Sequence, residues 1–127
     1  MARNNIKNLI MSNISEKVKE NLDKSGEIYV TSKVDVLMAE RELDYQKVAK
    51  ISDVRNMTIS DIASCRKSKV SLAHLIMIMI ALRTTDIRDV LDIEFEPEVV
   101  EQFKKDREKW VKEGIVPQDI VRQLNEK

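Results

Sequence analysis

The chain has very little glycine or proline, two of each in 127 residues, against averages of about 7% and 5%. Short strands joined by tight turns need those residues for their backbone angles, so an all-β fold is excluded. A single cysteine cannot form an intramolecular disulfide, and Met1-Ala2-Arg3-Asn4-Asn5 leads into an amphipathic pattern, not the continuous apolar stretch of a secretory signal. Both observations point to an intracellular, cytoplasmic protein. One histidine beside one cysteine cannot build a closed zinc site, so neither a metal nor another cofactor is expected. The carboxylates are not arranged with a histidine nucleophile system or a glycine-rich phosphate loop, so the chain is not expected to be an enzyme. Net charge is also missing, since lysine plus arginine and aspartate plus glutamate number 22 each. A zero sum gives no support to a uniformly polycationic nucleic-acid binder, and the question passes to where the charges sit. The longest apolar run, residues 72–82, is about half of the roughly 20 residues needed to cross a bilayer. It contains His74 and reads as a buried helix, with no membrane partner.

What is present is a chain able to fold, with 43% apolar and 35% charged residues, in one domain with short appendages. Ile6, Leu9, Ile10, Ile14, Val18 and Leu22 stand at helical spacing and predict an amphipathic helix over residues 4–22, stopped near Gly26. Glu27-Ile28-Tyr29-Val30-Thr31 predicts one short strand, left extended or paired across a dimer. Capping residues then recur every ten to fifteen positions. Ser32 opens a helix through Leu43, Asp44 one through Ile51, and a third runs over residues 56–64. Ser71 opens a fourth over 72–82, and Thr85 a fifth over 86–91. Pro97 starts a later helix that runs to Glu113 and stops at Gly114, and a last one covers 117–124. The chain divides into an N-terminal helix and strand over 1–31, a possible dimerisation arm, then a bundle over 32–92 and an acidic helical extension over 93–127. Residues 86–101 hold seven acids and one base, Arg88.

The centre carries the most specific pattern. Val48 and the small Ala49 face inward on one helix, Val54 fills a short turn, and Ile59 and Ile62 anchor the next helix so that Asn56, Met57, Ser60 and Asp61 face outward beside Arg55. This is a helix-turn-helix pattern. Together with Leu43, Thr58-Ile59-Ser60, the basic loop Arg66-Lys67-Ser68-Lys69, Ser71-Leu72, Leu75, Ala81-Leu82 and the closing residues 87–91, it resembles the lambda-repressor/Cro-like (XRE) helix-turn-helix family. The resemblance covers residues 34–91 and implies a fold: an all-α, five-helix bundle, here with an N-terminal helix, one short strand and a C-terminal helical extension. Three turn positions where that family usually has glycine hold Asp53, Cys65 and Arg83. Tyr45 replaces a usual Gln, and Arg55 sits where a Ser or Thr often caps.

The resemblance also implies the function. The helix around residues 56–63 enters the major groove of double-stranded DNA, with Asn56, Met57, Ser60 and Asp61 at base edges. Tyr45, Gln46, Arg55, Thr58, Arg66, Lys67 and Lys69 are the expected phosphate contacts. Residues 55–70 contain four bases, Arg55, Arg66, Lys67 and Lys69, against the single acid Asp61, a local excess that favours phosphate. A sequence-specific transcriptional regulator follows, a homodimeric repressor of phage or mobile-element type acting on a palindromic operator. A second reading keeps the bundle as a protein-interaction module, an inhibitor or antirepressor that binds a protein partner through the N- or C-terminal helices. Cys65 is expected to be structural, His74 a core or boundary residue, Ile76 to Ile80 core or core plus interface, and Trp110 a packing anchor or partner contact.

Overall fold

In the computed structural model, residues 1–9 and 15–126 are described. The first residues form β1 (Ala2–Asn5), followed at once by α1 (Ile6–Leu9). After the undescribed stretch, α2 (Glu16–Lys24) opens on Ser15, whose side chain accepts from the Val18 N–H. The single helix expected over 4–22 is therefore corrected at its start, while Ile10 and Ile14 lie outside the described residues. The reason is backbone pairing: Ala2–Asn5 runs antiparallel along β2 (Tyr29–Ser32), with Asn4 opposite Val30, and these hydrogen bonds outweigh the helical pattern. Gly26, at φ 70°, takes the left-handed turn expected of it.

The strand expected near residues 27–31 is β2, and it finds partners on both sides within the chain. β3 (Leu91–Glu94) pairs antiparallel with its other edge, giving the order β1-β2-β3. The fold is thus mostly helical with a small three-stranded sheet, not all-α. The fifth helix expected over 86–91 is reduced to one 3-10 turn, Ile87–Asp89, capped by Asp86 and not by Thr85. Leu91 onward leaves the helical path because β2 offers an open row of hydrogen-bonding groups.

Between β2 and that turn lie four helices: α3 (Val34–Glu40), α4 (Tyr45–Ser52), α5 (Asn56–Ala63) and α6 (Leu72–Leu82). Two of the expected caps hold, with Asp44 accepting from the Lys47 N–H and Ser71 from the His74 N–H. Ser32 is instead the buried last residue of β2, and α3 starts after Lys33 with no side-chain cap. Val34, Met38, Val48, Val54, Ile59, Ile62, Ala63, Leu75, Ile78, Leu82 and Val90 form one continuous core. In α6, Leu75, Ile78 and Leu82 supply the buried face. His74 is exposed, which corrects its expected place in the core or at its boundary, and Leu72, Ile76, Met77 and Ile80 stand outward on the same helix.

Met1–Glu94 is one compact unit and Phe95–Lys127 a second. The second holds α7 (Pro97–Glu113), which starts on Pro97 and ends at Gly114 with φ 70°, and α8 (Gln118–Asn125). Neither of these two helices has a buried residue, and Trp110 is 44% exposed. Among the described residues no helix is long and apolar enough to cross a membrane.

Candidate nucleic-acid interface

The approach of α4 to α5 is set by small and apolar side chains. Val48 of α4 and Ile59 and the small Ala63 of α5 are fully buried in one shared core, which packs the two helices together. The turn between them depends on Asp53, at φ 59° and ψ 28°, whose N–H bonds to the Ala49 carbonyl at 2.8 Å. Aspartate enters this left-handed region more readily than most residues. Val54 then plugs the turn at 4% exposure. Ser52, which sequence reasoning did not single out, ties the turn together: its hydroxyl donates to the Val48 carbonyl at 2.6 Å and accepts from the Val54 N–H at 3.2 Å. A buried serine just before a turn is a weak signal in a sequence, since serine caps and turns are everywhere.

This arrangement turns one face of α5 outward. Asn56 and Met57 are exposed at its start, Met57 by 67%. Arg55 precedes the helix without supplying a side-chain cap. Ser60 and Asp61 lie on the following turn and are only partly exposed, as is Thr58. The structure therefore brings Asn56, Met57, Ser60 and Asp61 onto one helix, the first two open and the last two partly covered.

The cover is Arg66. Its Nη2 donates to the Ser60 hydroxyl at 2.7 Å and lies 3.4 Å from the Asp61 carboxylate. Tyr45, at the start of α4, joins the same cluster. Its hydroxyl donates to the Asp35 carboxylate of α3 at 2.9 Å. Burial first, and then Asp35, push its ionisation above the ordinary 10.0, while Arg66 and Ser60 act the other way. The phenol stays protonated as a donor. Asp35 is a further residue missed at the sequence level, because it comes from a helix outside the helix-turn-helix motif.

Gln46, Arg55, Lys67 and Lys69 are all exposed, and among the described residues none of them makes a side-chain hydrogen bond or an ion pair. Cys65 is buried, at φ 55°, between the end of α5 and β1, and burial raises its thiol above the ordinary 9.0. The positive excess of this stretch thus rests on three exposed cations, Arg55, Lys67 and Lys69, that are unpaired among the described residues, while its one acid, Asp61, is matched by Arg66. No group of three or more potential metal ligands occurs among the described residues.

No curated protein and no solved structure matches the chain. A family model does: that of the Cro/C1-type HTH DNA-binding domain, over residues 33–96. That span runs from the residue before α3 to the end of β3 and beyond, and it includes the α4–turn–α5 pair described above. With motif, core and exposed face all within it, the chain belongs to the Cro/C1-type HTH DNA-binding family.

Proposed function

We propose that the protein is a sequence-specific transcriptional regulator, a homodimeric repressor of phage or mobile-element type, that lays α5 in the major groove of a two-fold related operator. The observation that carries this reading is the outward face of α5, with Asn56 and Met57 open and unpaired Arg55, Lys67 and Lys69 on its borders. Asn56 suits paired hydrogen bonds to adenine, Met57 packs on a thymine methyl, and Ser60 and Asp61 stand on the same side. Tyr45, Gln46 and Thr58 join the cations in positioning the phosphate backbone. Self-association is supported by apolar side chains that the first compact unit leaves uncovered along α6, namely Leu72, Ile76, Met77 and Ile80. A row of this kind marks an interaction surface more often than scattered single residues do, and pairing two copies doubles the DNA contacts.

The test is a gel shift on the DNA flanking the gene, over a range of salt concentrations. Binding should fall steeply as salt rises. Asn56→Ala and Ser60→Ala should reduce the ratio of specific to non-specific affinity, whereas Lys67→Ala and Lys69→Ala should weaken every sequence alike. Absence of any salt-dependent binding sinks the reading.

One observation favours a second reading, a protein-interaction module acting as inhibitor or antirepressor. The stretch 86–101 is acidic, and α7 exposes Val100, Phe103, Trp110 and Val111, a combination suited to a partner that is basic and apolar in turn. A stoichiometric protein complex that forms while Asn56→Ala and Ser60→Ala leave DNA binding unchanged would decide for it.

A further inference from the structure

We propose that Arg66 is a specificity-determining residue that donates to the O6 and N7 acceptors of a guanine, and that Asp61 and Ser60 hold it in place as positioning residues. The inference rests on the DNA-binding reading above and assigns to Arg66 and Asp61 roles different from those their positions in the sequence suggest.

The backbone comes first. α5 ends at Ala63, Ser64 caps it, and Cys65, left-handed at φ 55°, returns the chain on itself. The Cys65 N–H bonds to the Ile62 carbonyl at 3.3 Å and the Arg66 N–H to the Asp61 carbonyl at 3.2 Å, the double closure that fixes a helix C-terminus. Arg66 therefore leaves the helix end in a set direction. Its side chain runs back along α5, not away into the loop, and reaches Ser60 at 2.7 Å and Asp61 at 3.4 Å.

Exposure then separates the two partners. The Asp61 side chain keeps only 19% of its surface and the Arg66 side chain 54%. A carboxylate so covered, with a guanidinium beside it, is not free to accept from a cytosine amino group. The guanidinium is open. Only the Ser60 contact is a hydrogen bond, the 3.4 Å approach to Asp61 being an ion pair, so one Nη2 hydrogen is used and the other still pairs with the neighbouring Nε or Nη1 donor in a planar fork. That fork matches the paired acceptors on the major-groove edge of guanine. A phosphate contact needs only positive charge, which Lys67 and Lys69 supply without any partner to aim them. An arginine aimed by two side chains of α5 is suited to a directional contact. The same pairing explains how an acid can sit on a face presented to DNA, because its charge is neutralised in place.

The experiment is selection of bound sequences from a randomised duplex pool by the full-length protein and its R66A, R66K, D61A and D61A/R66A variants, with salt dependence measured on the winning duplex. The wild-type protein should enrich a guanine at one position of each half-site. R66A and R66K should both lose that preference by about tenfold, with the other positions unchanged. R66K retains charge and keeps the test valid should R66A fold poorly. D61A should lose the same position, and the double variant should be no worse than R66A. The proposal is overturned if R66K matches wild type while R66A weakens all sequences alike and lowers the salt slope by about one phosphate. It is also overturned if D61A alters a different position. No enrichment by the wild-type protein would instead overturn the DNA-binding reading itself, and this inference with it.

Discussion

The side-chain amide of Asn4 donates to the backbone carbonyl of Cys65 at 3.0 Å, joining two residues 61 positions apart. The Cys65 thiol in turn lies 3.7 Å from the Ala2 carbonyl. The turn that follows α5 is thus fastened to β1, the first element of the chain, so the helix proposed to read DNA has the exit from its far end fixed by the sheet. Its exposed start, at Asn56 and Met57, has no comparable tie.

Asn4→Ala is accordingly expected to destabilise the protein. The Cys65 carbonyl is partly buried and loses its donor, a cost of about 1 kcal/mol, read as a lower urea midpoint with unchanged slope. Asn8→Ala provides the comparison. Its amide donates to the Asn4 side chain at 3.2 Å on the exposed side, and its removal should stay within about 0.5 kcal/mol. Equal losses for the two variants would show that the tie to α5 contributes nothing.

The three residues found where the family usually has glycine all occupy the left-handed region: Asp53 and Arg83 at φ 59° and Cys65 at φ 55°. Glycine at Arg83 should therefore stabilise the protein. The left-handed conformation costs an ordinary residue roughly 1–2 kcal/mol, and the greater freedom of glycine in the unfolded chain returns part of it, about 0.4–1 kcal/mol. A net gain of about 0.5–1 kcal/mol in thermal or urea unfolding is expected for Arg83→Gly. The gain for Asp53→Gly should be smaller, since aspartate tolerates the region better. Arg83→Val should lose stability. A loss for Arg83→Gly would mean that the bond from the Arg83 guanidinium to the Ile80 carbonyl, at 3.3 Å, outweighs the strain.

These positions show what the sequence makes legible and what it hides. α4, α5, α6 and α7 start where Asp44, Asn56, Ser71 and Pro97 indicate, because caps and helical spacing are local signals. β1 was hidden. Ala2-Arg3-Asn4-Asn5 has no β-prone character, and it is extended only because Tyr29–Ser32 offers it a partner. The same holds for Leu91–Glu94, where the sheet draws off residues that alone extend a helical pattern. At the candidate site the residue types on α5 were readable, but the tie of Arg66 to Ser60 and Asp61 was not. It depends on the turn at Cys65, whose conformation only the folded chain determines.

Cys65 is also expected to be chemically quiet. It is buried, and burial raises its ionisation above 9.0, so the thiolate, the reactive species, is scarce at neutral pH. Its reaction with a disulfide reagent near pH 8 should be slower in the folded protein than in urea, because both the burial and the raised ionisation reduce the accessible thiolate. The sign for stability follows. The folded state holds the proton longer than the unfolded chain does, so this contribution is complete below the unfolded value and is lost as pH rises through the folded one. Tyr45, raised as well, acts in the same direction at higher pH. Urea midpoints should thus fall from about pH 9 upward, and Cys65→Ala should flatten the first part of that fall. A rate equal to that of the unfolded thiol would contradict the burial.

The turn between α4 and α5 gives the sharpest contrast between two serines. Ser52 is buried and its hydroxyl does two things, donating to the Val48 carbonyl at 2.6 Å and accepting from the Val54 N–H at 3.2 Å. Ser64 is half-buried, and its hydroxyl donates to the Ser60 carbonyl at 2.7 Å without accepting from any backbone N–H. A helical carbonyl that loses a second donor keeps its first one, but a buried N–H that loses its acceptor has no substitute. Ser52→Ala is therefore expected to cost about 1–3 kcal/mol, and Ser64→Ala less than about 0.5 kcal/mol, both from urea unfolding. Because the Val54 N–H lies in the turn that sets α5 against α4, Ser52→Ala should also weaken binding to the preferred DNA sequence more than binding to mixed sequence, measured at a temperature where the variant remains folded. Equal stability of the two variants would show that Val54 finds another acceptor, and that the turn is held by packing of Val48, Val54 and Ile59 alone.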